Sequence, residues 1–188
     1  MRGHATAPTR ALDVYKATAV VAFLVQGTGE SMYPVMKMLY LADKLHLERY
    51  GRFIVGDSYA AMKEGPVPRG TYDLMKHVRG EPQAIPGADH ARTVLAYEPN
   101  HQLRLLADPD LEQLSDSEVE CVSEVIELYK SFGKWGIRDL SHDDAWRAAW
   151  RKRIFAKSIP MEIESIASEL QNASELLEHL RDPQPGSA

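Results

Sequence analysis

A mainly α fold with a minor β part, built as a compact bundle of six or more helices with a small β-hairpin or short sheet, is what this sequence predicts. Apolar residues recur at spacings of three and four over most of the chain, glycines stand where helices need left-handed stops, and few segments alternate as strands do. With 188 residues, 44% of them hydrophobic, the chain supports one sizeable core and is short for two. The expected division is a flexible N-terminus over 1–9, a single domain over 10–181 that includes a C-terminal amphipathic helix, and a flexible tail over 182–188.

The first helix is expected from Leu12 to Val25, apolar on several faces and stopped at Gly27-Thr28-Gly29. Ser31 is a fitting N-cap for a second helix running to Tyr50 and closed by Gly51. On it, Lys37, Lys44 and Glu48 share the face expected to be wet, while Asp43, His46 and Tyr50 form a polar stripe with Leu39 against the core. A short extended segment follows around Asp57-Ser58-Tyr59, ended by Glu64-Gly65-Pro66-Val67-Pro68, with one of the prolines opening a third helix through Tyr72, Leu74 and Val78. Residues 81–91 read as loop. Thr93 to Tyr97 and Leu103 to Leu106 read as two strands joined by a polar turn.

Ser115 and Glu118 have capping-box spacing, and the helix they start is expected to end at Gly133. Ser141 is the expected cap of a shorter helix carrying Trp146 and Trp150 on one side. After Pro160, the residues Ile163, Ile166, Leu170, Ala173, Leu177 and Leu180 trace the seam of one amphipathic helix, docked on its own domain, across a dimer or on a partner.

Composition narrows the function. The longest apolar stretch, Ala17 to Val25, falls well short of the ~20 residues of a membrane span, so no membrane partner is expected. Cys121 is the lone cysteine, which suits a reducing cytoplasm. A net charge of −5, from 22 basic and 27 acidic residues, gives no general attraction to nucleic acid. There is no P-loop, GxSxG elbow, HExxH or Rossmann glycine pattern, which points away from common hydrolases and nucleotide enzymes.

Two constellations remain. Asp43, His46 and Tyr50 are expected to form a structural polar network that orients the second helix; the alternative is an acid–base group of a small hydrolase, with no nucleophile in sight. Arg147, Arg151, Lys152, Arg153 and Lys157 crowd one segment, either as a solvated face or as an anchor for an acidic partner or RNA. His142, Asp143 and Asp144 are adjacent and diverge, so helix capping is the expectation and no metal or other cofactor is.

The order of the pieces resembles a known family. Met38-Leu39-Tyr40-Leu41-Ala42-Asp43, Tyr50-Gly51-Arg52, Tyr59 to Lys63 followed by Gly65-Pro66-Val67-Pro68, Tyr72, Leu114-Ser115, and Asp139-Leu140-Ser141-His142 with Trp146 look like a Panacea (SocA-like) antitoxin domain from about Met32 to Trp150. Ser141-His142 stands where the family often has Thr-His. The resemblance implies no enzyme but an antitoxin of a bacterial toxin–antitoxin pair, neutralising its cognate toxin by direct contact. The toxin is expected from the adjacent gene. One relative instead delivers its toxin to a protease, which makes a protease a second expected partner. Some relatives add a DNA-binding domain, for which 188 residues leave no room, so no DNA contact is expected.

The family has no agreed catalytic centre, so no catalytic residues are assigned. Gly65, Pro66 and Pro68 are expected as turn-formers, with Tyr59, Lys63 and Tyr72 displayed around the turn. Aromatic and arginine anchors dominate interfaces, which makes Tyr59, Lys63, Arg69, Tyr72, Arg147 and Arg151 the candidate partner contacts.

Overall fold

The computed structural model describes residues 12–181, and the ends expected to be flexible lie outside the described residues. Helix α1 spans Val14–Thr28 and begins at Asp13, whose carboxylate accepts from Lys16 N at 3.0 Å. Helix α2 spans Met32–Tyr50 and stops at Gly51, whose φ of 73° lets its N–H return to Leu47 O. Strands β1 (Tyr59–Met62) and β2 (Gly65–Pro68) form a tight hairpin and lead into α3 (Arg69–Val78). Helix α4 (Asp89–Val94) precedes a second antiparallel hairpin, β3 (Leu95–Tyr97) with β4 (Leu103–Leu105). Then come α5 (Asp116–Ser141), α6 (Asp144–Arg151), β5 (Ser158–Met161), α7 (Ile163–Ala167) and α8 (Ala173–Arg181). The fold is mainly helical with a small β part, as expected. Among the described residues no helix is long and apolar enough to cross a membrane.

Helix α2 is the axis, because apolar side chains cover it from two sides. One cluster joins Val20, Leu24, Met36, Leu39, Leu74, Val122 and Ile137 from α1, α2, α3 and α5. The other joins Tyr40, Leu47, Tyr59, Met161, Ile166 and Leu176, reaching across the sheet to the C-terminal segment. A helix packed on both sides has little wet face left. This corrects the face expected to be wet: Lys37 is buried, and Lys44 is drawn into ion pairs with Asp143 at 2.7 Å and Glu169 at 3.1 Å.

Strand order is β2-β1-β5, so Gly65-Pro66-Val67-Pro68 is an edge strand rather than a turn. Pro66 and Pro68 share a parity in the antiparallel register, so one orientation serves both; on an edge, a residue without an N–H leaves no ladder bond unmade. The outward carbonyl of Pro66 accepts from Lys37 Nζ at 2.8 Å, which caps the edge with a side chain. Lys63 and Glu64 alone make the turn.

Other boundaries moved. Residues 81–91 hold the start of α4, which is too short for its periodicity to be read. Helix α5 breaks at Gly133, where φ is 65° and ψ is −176°, as the glycine suggested, but helical turns resume to Ser141. The cap of α6 is Asp143, which accepts from Trp146 N at 2.9 Å, whereas Ser141 is buried and donates to Arg138 O. Pro160 sits inside β5, and the apolar seam beyond it is cut into α7 and α8. The cut comes where Gln171 N donates to Glu48 Oε1 and Asn172 Nδ2 donates to Glu48 O, so residues 168–172 serve the end of α2 instead of continuing a helix.

The capping box at α5 forms, and it carries more than a cap. The fully buried Glu118 carboxylate accepts from Ser115 N at 2.9 Å, from Lys16 Nζ at 2.9 Å and from Arg52 Nη1 at 2.6 Å, tying α1 and the turn after α2 to the start of α5. Burial alone opposes the charge, but these three donors outweigh it and hold the carboxyl below the usual carboxylate range. A depressed acid contributes stability above its unfolded pKa and loses it as pH falls through the folded one. Thermal unfolding should therefore shift to lower temperature on acidification below about pH 4.5, the ordinary value for a Glu. Glu118→Gln should flatten that acid limb; an unchanged limb in the variant would refute the assignment.

Candidate functional site

The stripe of Asp43, His46 and Tyr50 is divided by the fold. Asp43 is fully buried, with Oδ1 accepting from Ile54 N at 2.6 Å and Oδ2 from the Tyr59 hydroxyl at 2.7 Å. Burial pushes its pKa up to about 7, against the pull of those two hydrogen bonds. His46, also buried, bonds Arg52 O at 2.8 Å and Ser117 Oγ at 3.1 Å. Burial lowers its pKa. Tyr50 is 45% exposed; its ring stays beside His46 and its hydroxyl reaches Glu120 at 3.5 Å. Asp43 and His46 each have two partners outside α2, and neither lines a cleft. They fasten the segment 52–59 to α2.

A cleft of about 750 Å³ lies elsewhere, on the side of the β1–β2 turn. Tyr33, Met36 and Lys37 reach it from the start of α2, Met62 and Val67 from the hairpin, and Tyr72 from α3. Tyr97 and His101 line one part, and Trp150 with residues 153–157 lines another. The turn at Asn100 and His101 takes two consecutive left-handed residues, both at φ 63°. Trp146 ties α6 to the hairpin, its Nε1 donating to Met62 O at 3.0 Å.

Cations dominate the rim. Lys63, Arg79, Lys134, Arg153 and Lys157 line the cleft with Lys37 at its floor, and Glu64 is the sole acid among the lining residues. Arg79 is paired with Glu81. Arg153 lies over the Trp150 ring at 4.2 Å, and Lys37 is 5.1 Å from the Tyr33 ring centre. Ile154 and Phe155, which line the cleft, are two adjacent large apolar side chains at 82% and 97% exposure.

Lys37 is the unusual member. Its ammonium has three donors, and the one hydrogen bond it makes among the described residues goes to Pro66 O. Burial lowers its pKa to about 7. Beside it, His142 stacks on Trp146 at 4.2 Å between ring centres and leaves Nε2 without a partner among the described residues. Gly65 separates the two groups: a Cβ there would stand 2.6 Å from His142 Nε2 and 3.0 Å from Lys37 Nζ.

The candidate contact residues fall into three groups. Lys63 and Tyr72 line the cleft. Arg69, Arg147 and Arg151 are exposed but lie outside it, and Arg147 is paired with Asp144. Tyr59 is 2% exposed and donates inward to Asp43, which corrects its expected display around the turn: β1 is the central strand of the sheet, and Tyr59 packs into the core. Of the basic segment, Arg153 and Lys157 reach the cleft. Ile154 and Phe155 were missed by sequence reasoning, and two apolar residues inside a basic run were the available signal.

The described residues form a mainly helical domain with a small antiparallel sheet and a cleft lined by cationic and aromatic side chains. The chain belongs to the SocA-like antitoxins: the family of the antitoxin SocA-like Panacea domain matches residues 35–147. No curated protein and no solved structure matches it significantly. The matched range takes in most of α2, the β1–β2 hairpin, α5 and the first half of α6, and so includes Met36, Lys37 and the hairpin side of the cleft.

Proposed function

We propose that this chain is the antitoxin of a bacterial toxin–antitoxin pair, that it neutralises a toxin encoded by the adjacent gene through direct protein contact, and that it does so in the cytoplasm without catalysis. The family match over residues 35–147 carries this reading. It is supported by the exposed Ile154 and Phe155 beside the cleft and by the buried hydrogen bonds of Asp43 and His46, which engage both residues in holding the fold.

Co-expression is the test. Inducing the adjacent gene alone should stop growth, and adding this chain should restore it. A harmless neighbour, or toxicity undiminished by this chain, refutes the proposal. Toxin half-life measured in the same cells separates two routes: unchanged turnover means occlusion, and shortened turnover that depends on an intact protease means delivery for degradation.

A further inference from the structure

We propose that the cleft beneath Ile154 and Phe155 docks an acidic segment of a partner protein, one of its carboxylates bonding Lys37 and an adjacent apolar side chain resting among Tyr33, Tyr72 and Trp150. The proposal deepens the antitoxin reading and rests on it for the partner's being a protein. It stands on three observations.

Charge is the first. In a chain of net charge −5, the cleft gathers six Lys and Arg residues against Glu64 alone. Among the described residues, Lys37, Lys63, Lys134, Arg153 and Lys157 form no ion pair within 4.0 Å and Arg79 alone of the six has one, with Glu81, whereas thirteen such pairs lie outside the cleft. Such a concentration of one sign steers and selects a partner of the opposite sign.

The floor is the second. Lys37 is 1% exposed, lines the cleft and has no carboxylate partner among the described residues, where Pro66 O is the one acceptor it meets. Buried ammonium groups are normally paired, and an incoming carboxylate supplies the missing acceptor. Third, the two most exposed large apolar residues of the described chain, Ile154 and Phe155, line the same cleft. A small anion would leave both bare. A protein segment covers them, which favours a polypeptide over a free phosphate or a nucleotide.

Binding of a random glutamate–tyrosine copolymer, followed by tryptophan fluorescence, tests the chemistry without knowledge of the partner. The intact chain should bind it more tightly than polyglutamate, with affinity falling as salt is raised. Lys63→Glu with Lys157→Glu, both at exposed positions, should weaken binding at least tenfold. Phe155→Ala should weaken the copolymer and spare polyglutamate, and Lys37→Met should weaken both. Arg104→Glu, on β4 outside the cleft, should change neither. Equal binding by the double variant overturns the proposal, as does tighter binding of tRNA than of the copolymer at the same cleft.

The adjacent-gene toxin supplies the second arm. If the intact chain rescues growth and the double variant rescues equally well, the cleft is not the dock and the antitoxin reading stands. If the intact chain fails to rescue while the copolymer results hold, the antitoxin reading falls and the acidic-segment site stands.

Discussion

Replacing Asp43 by Ala should lower the unfolding free energy by about 3–4 kcal/mol, the combined cost of stranding two buried donors at ~1–3 kcal/mol each. The donors are Ile54 N and the Tyr59 hydroxyl, at 2.6 and 2.7 Å, and both residues are buried. Asp43→Asn keeps an oxygen for Ile54 and offers an amide to the phenol oxygen, so it should cost about 1 kcal/mol. The pH dependence has a definite sign. An acid whose folded pKa is raised, here from 3.8 to about 7, binds its proton more tightly in the native state; its ionisation therefore erodes stability as pH climbs through that interval. Asp43→Asn should remove that decline. Urea denaturation at several pH values checks both statements. An alanine variant within ~0.5 kcal/mol of the parent, inside the range of neutral surface changes, would show that the network holds nothing.

Gly65→Ala should cost about 3 kcal/mol, from left-handed strain of ~1–3 kcal/mol and overpacking of ~1–3 kcal/mol that relax only in part. Gly65 sits at φ +108°, where an L side chain is strained whatever the space around it. Space is lacking too, because the added methyl group meets His142 Nε2 at 2.6 Å and Cδ2 at 2.8 Å. His142 cannot step aside freely, being stacked on Trp146, which is in turn bonded to Met62. Because the same push reaches Lys37 Nζ, at 3.0 Å from the new atom, copolymer affinity should fall along with stability. The control is Gly133→Ala, a glycine at φ 65° whose Cβ meets nothing within 4 Å, which isolates strain from crowding. Equal losses at the two positions would show that crowding at Gly65 contributes nothing.

Where one physical cause acts alone, local pattern was enough. Periodicity with glycine stops located α1, α2 and the first part of α5, and the Ser115–Glu118 spacing located the start of α5. Burial of Asp43 and His46 followed from their place among apolar neighbours. Lys37 was misread for a reason that no spacing contains. It shares a helix face with Lys44, but the edge strand and its proline carbonyl, 29 residues away in sequence, close over one end of that face. The C-terminal seam misled in the same way, since Glu48 draws Gln171 and Asn172 out of a helix that local pattern favours. The cleft draws its lining from positions between 31 and 157, so its charges meet only once the fold exists.

Strand β1 stands between β2, which starts three residues beyond its end, and β5, which starts 96 residues beyond it. At ~5–20 residues per second, the ribosome delivers that last strand roughly 5–20 s after the hairpin has emerged. Through that interval the nascent hairpin offers a bare row of main-chain donors and acceptors, from Tyr59 to Met62, that a strand of a neighbouring polysome can copy. Aggregation during overproduction should therefore track how long Ser158–Met161 takes to arrive, and slower translation of the intervening codons should worsen it.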